Sequence, residues 1–193
     1  MTQGRLIAVV GPSGVGKDSV MTALAQARPG IRLARRVITR PATAGGEAFD
    51  SVTFDDFATR AAAGEFVLHW RAHGLRYGIP RSVEVDLEAG HDVVANLSRA
   101  VLGTARARIS RVVVIQLSAP AEVLAERLAA RGRESAEDIA ARLRRADFAL
   151  PAGIAAWAVD NSGPLDQTVA RLLALLDQDD SPRTGTRKDR AET

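Results

Sequence analysis

Apolar residues along this chain fall into two kinds of run. Contiguous runs occur at 5–10 (RLIAVV), 92–97 (DVVANL) and 112–117 (VVVIQL), with weaker ones at 31–38 and 155–159. A short, unbroken apolar segment next to turn residues reads as a strand buried on both faces. Spaced runs, with apolar residues at helical intervals, fill 17–27, 121–130, 136–148 and 165–176, and a further helix is expected to end near Arg108. Pro29-Gly30 stops the first of these helices. Strands alternating with helices predict an α/β fold, a five-stranded parallel sheet with helices on both faces. Residues 39–88 interrupt the alternation with Pro41, Gly45, Gly46, Gly64, Gly74, Gly78 and Pro80. Only two short helices, near 54–63 and 82–89, are expected there, in what reads as an inserted subdomain. From residue 177 the chain is polar (DQDDSPRTGTRKDRAET) and is expected to be a disordered tail.

At 193 residues the chain is long enough to bury a full core as one domain. It has no cysteine, which excludes disulfides, thiol nucleophiles and thiolate zinc sites. The three histidines, His69, His73 and His91, make a poor metal cluster. No apolar run approaches the roughly 18–20 residues of a membrane span. The five apolar residues after Arg5 are too few for a signal segment. A cytoplasmic protein with no membrane partner is expected. The net charge of +3 is small, and no basic stretch is interleaved with aromatic residues, so a nucleic-acid partner is not expected. Of 26 basic residues, 24 are arginine, a bias that a GC-rich genome produces without functional pressure. One of the two lysines, Lys17, lies in a glycine-rich loop.

That loop, Gly11-Pro12-Ser13-Gly14-Val15-Gly16-Lys17, matches G-x-x-x-x-G-K between a predicted strand and a predicted helix. In such a loop, backbone N–H groups converge on phosphates, the helix dipole adds to them, and the lysine reaches the β/γ-phosphates. A nucleotide is therefore the expected ligand. The next position ordinarily carries Ser or Thr to ligate Mg²⁺, but here it is Asp18. A carboxylate beside phosphates is tolerated when a cation lies between them, so Asp18 is assigned to Mg²⁺ as a hard oxygen ligand. Ser19 carries a hydroxyl but is out of register by one residue. A carboxylate for the metal at a strand end is missing, since Asn96 stands there.

Four further segments, in order, resemble the guanylate kinase family of P-loop kinases. They are ITRPATAGGE (38–47), GEFVLHWRAHGLRYGIP (64–80), GHDVVANLS (90–98) and RLAARGRESAEDIAARL (127–143). The resemblance covers nearly the whole folded chain. It implies one kinase domain over 1–176, with an acceptor-binding subdomain at about 39–88 and a helical lid at about 131–148. The departures carry information too. Leu68 stands where that family has a guanine-reading glutamate, and Arg71, Asn96 and Ser98 replace further acids. A site that reads a base by hydrogen bonds loses discrimination when those partners disappear. Meanwhile Arg36 joins the acceptor arginine Arg40, and Thr43 replaces a second arginine.

Loss of acids and gain of arginines suits a small acceptor with more phosphate and no base. The set GKD, RxITRPxxxGGE and FxLHWxAHGLxYGIP resembles one branch of the family, the ribose 1,5-bisphosphate phosphokinases. The resemblance implies transfer of the ATP γ-phosphoryl group to ribose 1,5-bisphosphate, forming 5-phosphoribosyl 1-diphosphate (PRPP) after carbon–phosphorus bond cleavage. It assigns Lys17, Arg40, Arg131 and Arg142 to catalysis, the two lid arginines closing over the transferring group. It assigns Arg36, Arg40, Glu47, Arg71 and Tyr77 to the acceptor. Glu47 has two readings, a bond to the sugar or orientation of Arg40. Trp70 and Tyr77 either wall the ribose pocket or belong to the core. His69 and His73 read as packing residues or as supports for the site residues, not as catalysts, and Asn161 as an adenine contact. The rival expectation is a guanylate-like nucleoside monophosphate kinase, and the sequence leaves a homodimer open.

Overall fold

The computed structural model describes residues 3–42, 48–130 and 149–178. The contiguous apolar runs become parallel strands. β1 (Leu6–Val10) lies at the centre, fully buried. It pairs with β7 (Asp92–Asn96) on one side and β8 (Val112–Ser118) on the other. β2 (Ile31–Leu33) and β9 (Trp157–Asp160) form the edges, giving the order β2-β7-β1-β8-β9, all parallel. Alternate residues of β1 face two separate cores. Ile7 and Val9 pack with Val20, Met21 and Leu24 of α1 (Lys17–Ala27), Leu124 of α5 (Ala121–Ala130) and Val169 and Leu172 of α6 (Leu165–Asp177). Leu6, Ala8 and Val10 pack with Val83 and Leu87 of α3 (Ser82–Glu88) and with Leu102 and Ala105 of α4 (Leu102–Arg108).

The expected strand over 31–38 is in fact two strands in different sheets. After β2 the chain turns at Ala34 and Arg35, and β3 (Arg36–Ile38) enters a second, four-stranded sheet. The interruption at 39–88 is therefore more regular than the glycines and prolines imply. Besides α2 (Phe54–Ala62), it holds β4 (Phe49–Ser51), β5 (Phe66–Ala72) and β6 (Leu75–Pro80), in the order β4-β3-β6-β5. β5 and β6 form a hairpin closed by His73 and Gly74, both at positive φ (51° and 73°). Two central residues at positive φ define a type I′ turn, whose twist matches that of the strands. His73 is thus a turn residue.

Leu68 and Ile79 of this hairpin are fully buried in the β1–α3–α4 core. Each contributes about 1.5–3 kcal/mol of apolar burial to fastening the small sheet onto the large one. The opposite face of the small sheet packs Val37 and Phe66 against Phe57 of α2, with the two rings 4.7 Å apart. The helix expected at 136–148 and the remainder of the tail from 179 lie outside the described residues; α6 itself runs to Asp177. No helix among the described residues is long and apolar enough to cross a membrane.

Candidate active site

β1 delivers the chain to the carboxyl edge of the sheet, and the glycine-rich loop turns there into α1. Gly16 is the N-cap of α1 at φ 91°, with no side-chain cap on the first turn. The N-terminus of α1 therefore opens at the loop mouth with no side chain capping it, and its dipole and backbone N–H groups favour an anion there. A Cβ on Gly16 would lie 2.9 Å from Nδ2 of Asn161, so the backbone needs glycine for both conformation and space. Lys17 folds back over the loop, its Nζ donating to the carbonyls of Gly11 (2.9 Å) and Pro12 (3.0 Å). Ser13 is exposed at the loop tip, while Val15 is buried beneath it.

The loop is braced from below. Asn161, buried just after β9, donates from Nδ2 to the Val15 carbonyl (2.7 Å) and accepts from the Thr168 hydroxyl of α6 (2.8 Å). Arg127, from α5, donates to the Asn161 carbonyl (2.8 Å) and more distantly to Val15 (3.4 Å). Both ends of the Asn161 amide are thus engaged by protein, which makes it a brace for the phosphate loop instead of an adenine contact. Arg127 and Thr168 carry no sequence signal of this role beyond Arg127 opening the RLAARG segment.

Asp18, in the first turn of α1, is partly exposed, and Ser19 is turned to solvent. Nδ2 of Asn96, the last residue of β7, donates to Oδ1 of Asp18 at 3.2 Å. A carboxylate only accepts, which fixes the orientation of the Asn96 amide. The backbone carbonyl of the same Asn96 accepts from Arg36 (3.1 Å). Arg36 is buried, and its guanidinium lies 5.1 Å from the Tyr77 ring centroid. Tyr77 in turn stacks on Trp70, with centroids 5.4 Å apart and planes 9° from parallel. Arg40 lies beyond the end of β3, half-buried, its guanidinium 4.3 Å over the Phe49 ring. The Arg36–Tyr77–Trp70 ladder and the first turn of α1 therefore meet at one residue, Asn96.

Register separates the other expected residues. Tyr77 is opposite Trp70 and Ile38, so these share a face with Arg36, two residues before Ile38. Arg71 is opposite Arg76, which puts both on the α2 face, and Arg76 lies over Phe54 of α2 at 5.6 Å. Arg71 is exposed there and is not brought together with Arg36 and Tyr77. Leu68 has no exposed surface, so the position that reads a base in the resembled family is part of the core. Ser98 caps the short turn after β7, accepting weakly from Ala100 N (3.4 Å). Glu47, Arg131 and Arg142 lie outside the described residues.

Several of the remaining arginines bind main-chain carbonyls distant in sequence. Arg99 reaches Ala149, Arg106 reaches Gly153, Arg108 reaches Val67 and Arg111 reaches Gln3. These are tertiary staples, and they account for part of the arginine content without catalysis.

Among the described residues no three His, Asp or Glu side chains gather into a metal cage. Mg²⁺ does not need one: it is ordinarily held by one or two carboxylates together with substrate phosphates and water. Asp18 beside the loop mouth, with the Asn96 amide behind it, is a hard oxygen site of that kind, so the residues present fit the ion.

A family model described as an AAA domain matches residues 6–149. The chain is 50% identical over 175 residues to a ribose 1,5-bisphosphate phosphokinase PhnN of Ruegeria sp. (strain TM1040), covering 90% of this chain and 92% of that protein. It is also 50% identical over 184 residues to the protein of that name from Pseudomonas fluorescens (strain SBW25), covering 90% and 95%. Among solved structures, guanylate kinase from Anaplasma phagocytophilum superposes with a TM-score of 0.64 at 20% identity, over 96% of this chain and 89% of that one. That likeness concerns the fold alone.

Proposed function

Because the chain belongs to the ribose 1,5-bisphosphate phosphokinases, we propose a division of labour among its residues for that reaction. The protein is a P-loop kinase that phosphorylates ribose 1,5-bisphosphate to PRPP. An oxygen of the acceptor's 1-phosphate attacks the γ-phosphorus of ATP. The bond from that phosphorus to the β–γ bridging oxygen breaks, and ADP leaves with the electron pair.

The attacking oxygen belongs to a phosphate that is already ionised near neutral pH, so no strong general base is required. Catalysis is then alignment and charge neutralisation of an in-line transfer. The backbone of Gly11 to Gly16 cradles the ATP phosphates, and Lys17 moves from its carbonyl partners to the β/γ-phosphates. Asp18 holds Mg²⁺, which when bound neutralises charge on the phosphate oxygens. Arg36 and Arg40 take the acceptor's phosphates, with Tyr77 as the wall that holds Arg36 and Glu47 at the sugar side. Arg131 and Arg142, by resemblance, cover the transferring group, a contribution on the order of 10³ or more in rate. Arg71 is left out of the acceptor set, since it stands on the opposite face of the small sheet.

The observation that supports this reading most is the Arg36–Asn96–Asp18 chain of contacts, which joins a buried acceptor-side cation to the nucleotide side. Leu68 in the core argues against the guanylate-like alternative. The test is an assay of purified protein with Mg²⁺ and ATP, offering ribose 1,5-bisphosphate, GMP and ribose 5-phosphate separately. PRPP and ADP should appear with the bisphosphate at a rate far above ADP release with GMP. Faster turnover of GMP would refute the acceptor reading.

A further inference from the structure

P-loop enzymes commonly share the metal between a hydroxyl after the loop lysine and a carboxylate on a neighbouring strand. This chain reverses the two chemistries. The position after Lys17 is a carboxylate, Asp18, and the end of β7, beside the loop's own strand, is an amide, Asn96. The two side chains touch, with Nδ2 of Asn96 3.2 Å from Oδ1 of Asp18. Oδ2 of Asp18 takes no hydrogen bond among the described residues. From this contact we infer that Asp18 and Asn96 are a transposed metal pair: Asp18 supplies the anionic ligand, Asn96 orients it, and the two chemistries can be exchanged between the positions as a unit.

The physical argument concerns charge at close range. Two carboxylates about 3 Å apart beside nucleotide phosphates would repel each other and the phosphates whenever the cation is absent. Two neutral groups would leave the cation without an anionic protein ligand. One carboxylate and one donor satisfy both demands, and the amide N–H is the donor that a carboxylate at 18 requires. Arg36, which donates to the Asn96 backbone carbonyl at 3.1 Å, adds positive charge on the far side of the pair from Asp18. The inference rests on the nucleotide reading of the loop.

The experiment uses Asp18→Ser, Asn96→Asp and the combined variant, with thermal melting to verify that each folds. Mn²⁺ serves as a spin-visible substitute for Mg²⁺. Its affinity is measured by electron paramagnetic resonance with saturating ADP and no acceptor, and ADP affinity is measured separately in chelator. Asp18→Ser should weaken Mn²⁺ binding about tenfold or more. Asn96→Asp should instead weaken metal-free ADP binding, through the second carboxylate. The combined variant should return both affinities to within about threefold of wild type, a departure from additivity that reports direct coupling.

A combined variant that binds Mn²⁺ no better than Asp18→Ser would overturn the inference, as would Asp18→Ser binding Mn²⁺ like wild type. If Asn96→Asp alone does not fold, comparing the combined variant with Asp18→Ser still decides the question. Wild-type protein that binds no ADP would refute the nucleotide reading itself, which keeps the two failures distinct.

Discussion

Asn161→Ala is the perturbation that most directly tests how the phosphate loop is held. The substitution removes a bond of 2.7 Å to the Val15 carbonyl and one of 2.8 Å from the Thr168 hydroxyl, all three residues being buried. A net loss of about 1 kcal/mol per bond, plus a desolvation cost of about 1–3 kcal/mol for a partner left unsatisfied, sets the scale. Two effects soften it. Arg127 stays near the Val15 carbonyl at 3.4 Å, and Thr168 is free to rotate toward the carbonyl one turn back in α6. The expected destabilisation is about 2–4 kcal/mol. For a chain of this length that lowers the melting temperature by about 5–15 °C.

Function should suffer selectively. The loop carries the ATP phosphates, so kcat/KM for ATP should fall about ten- to a hundredfold, while the KM for the acceptor moves by less than about threefold. Thr168→Val removes only the hydroxyl and should account for about 1 kcal/mol of the loss. Circular dichroism melts and initial-rate kinetics give both readouts. An Asn161→Ala protein melting within about 2 °C of wild type, with altered preference between ATP and GTP, would refute the brace and restore an adenine contact.

Other expectations concern the acceptor side and the core. Arg36→Leu should lower kcat/KM for ribose 1,5-bisphosphate by about ten- to a hundredfold, the scale of a charge-assisted bond to phosphate. Arg71→Ala, on the opposite face, should cost less than about threefold; equal losses in the same assay would mean that the small sheet presents both faces to substrate. Leu68→Glu should give no guanylate kinase activity and little folded protein, because it buries an unpaired carboxylate in the core, and a soluble variant that phosphorylates GMP would contradict this. Gly78→Ala puts a Cβ 2.7 Å from the Phe66 ring and should destabilise the small sheet by about 1–3 kcal/mol, read as a shifted urea midpoint.

What the sequence determined by itself was the local part of this protein. β1, α1 and the glycine turn between them are legible because strand burial, helical spacing and the loop motif are all written over consecutive residues, and the observed bounds of α1 are the expected ones. α5 also has its expected bounds, β7, β8 and the last helix end within one residue of theirs, and the four resembling segments carried the family. Tertiary structure decided whatever depends on pairing between distant residues. β2, β3 and β4 have three residues each, too few to show a period, and only their partners tell that β2 and β3 belong to different sheets. The face on which Arg71 emerges depends on its register with Arg76. The brace at Asn161 joins residues 146 positions apart, and the Asp18–Asn96 contact spans 78. A hydrogen bond of that range leaves no trace in local periodicity, because its geometry exists only once strands distant in sequence have been paired into one sheet and their carboxyl ends brought beside the loop and α1.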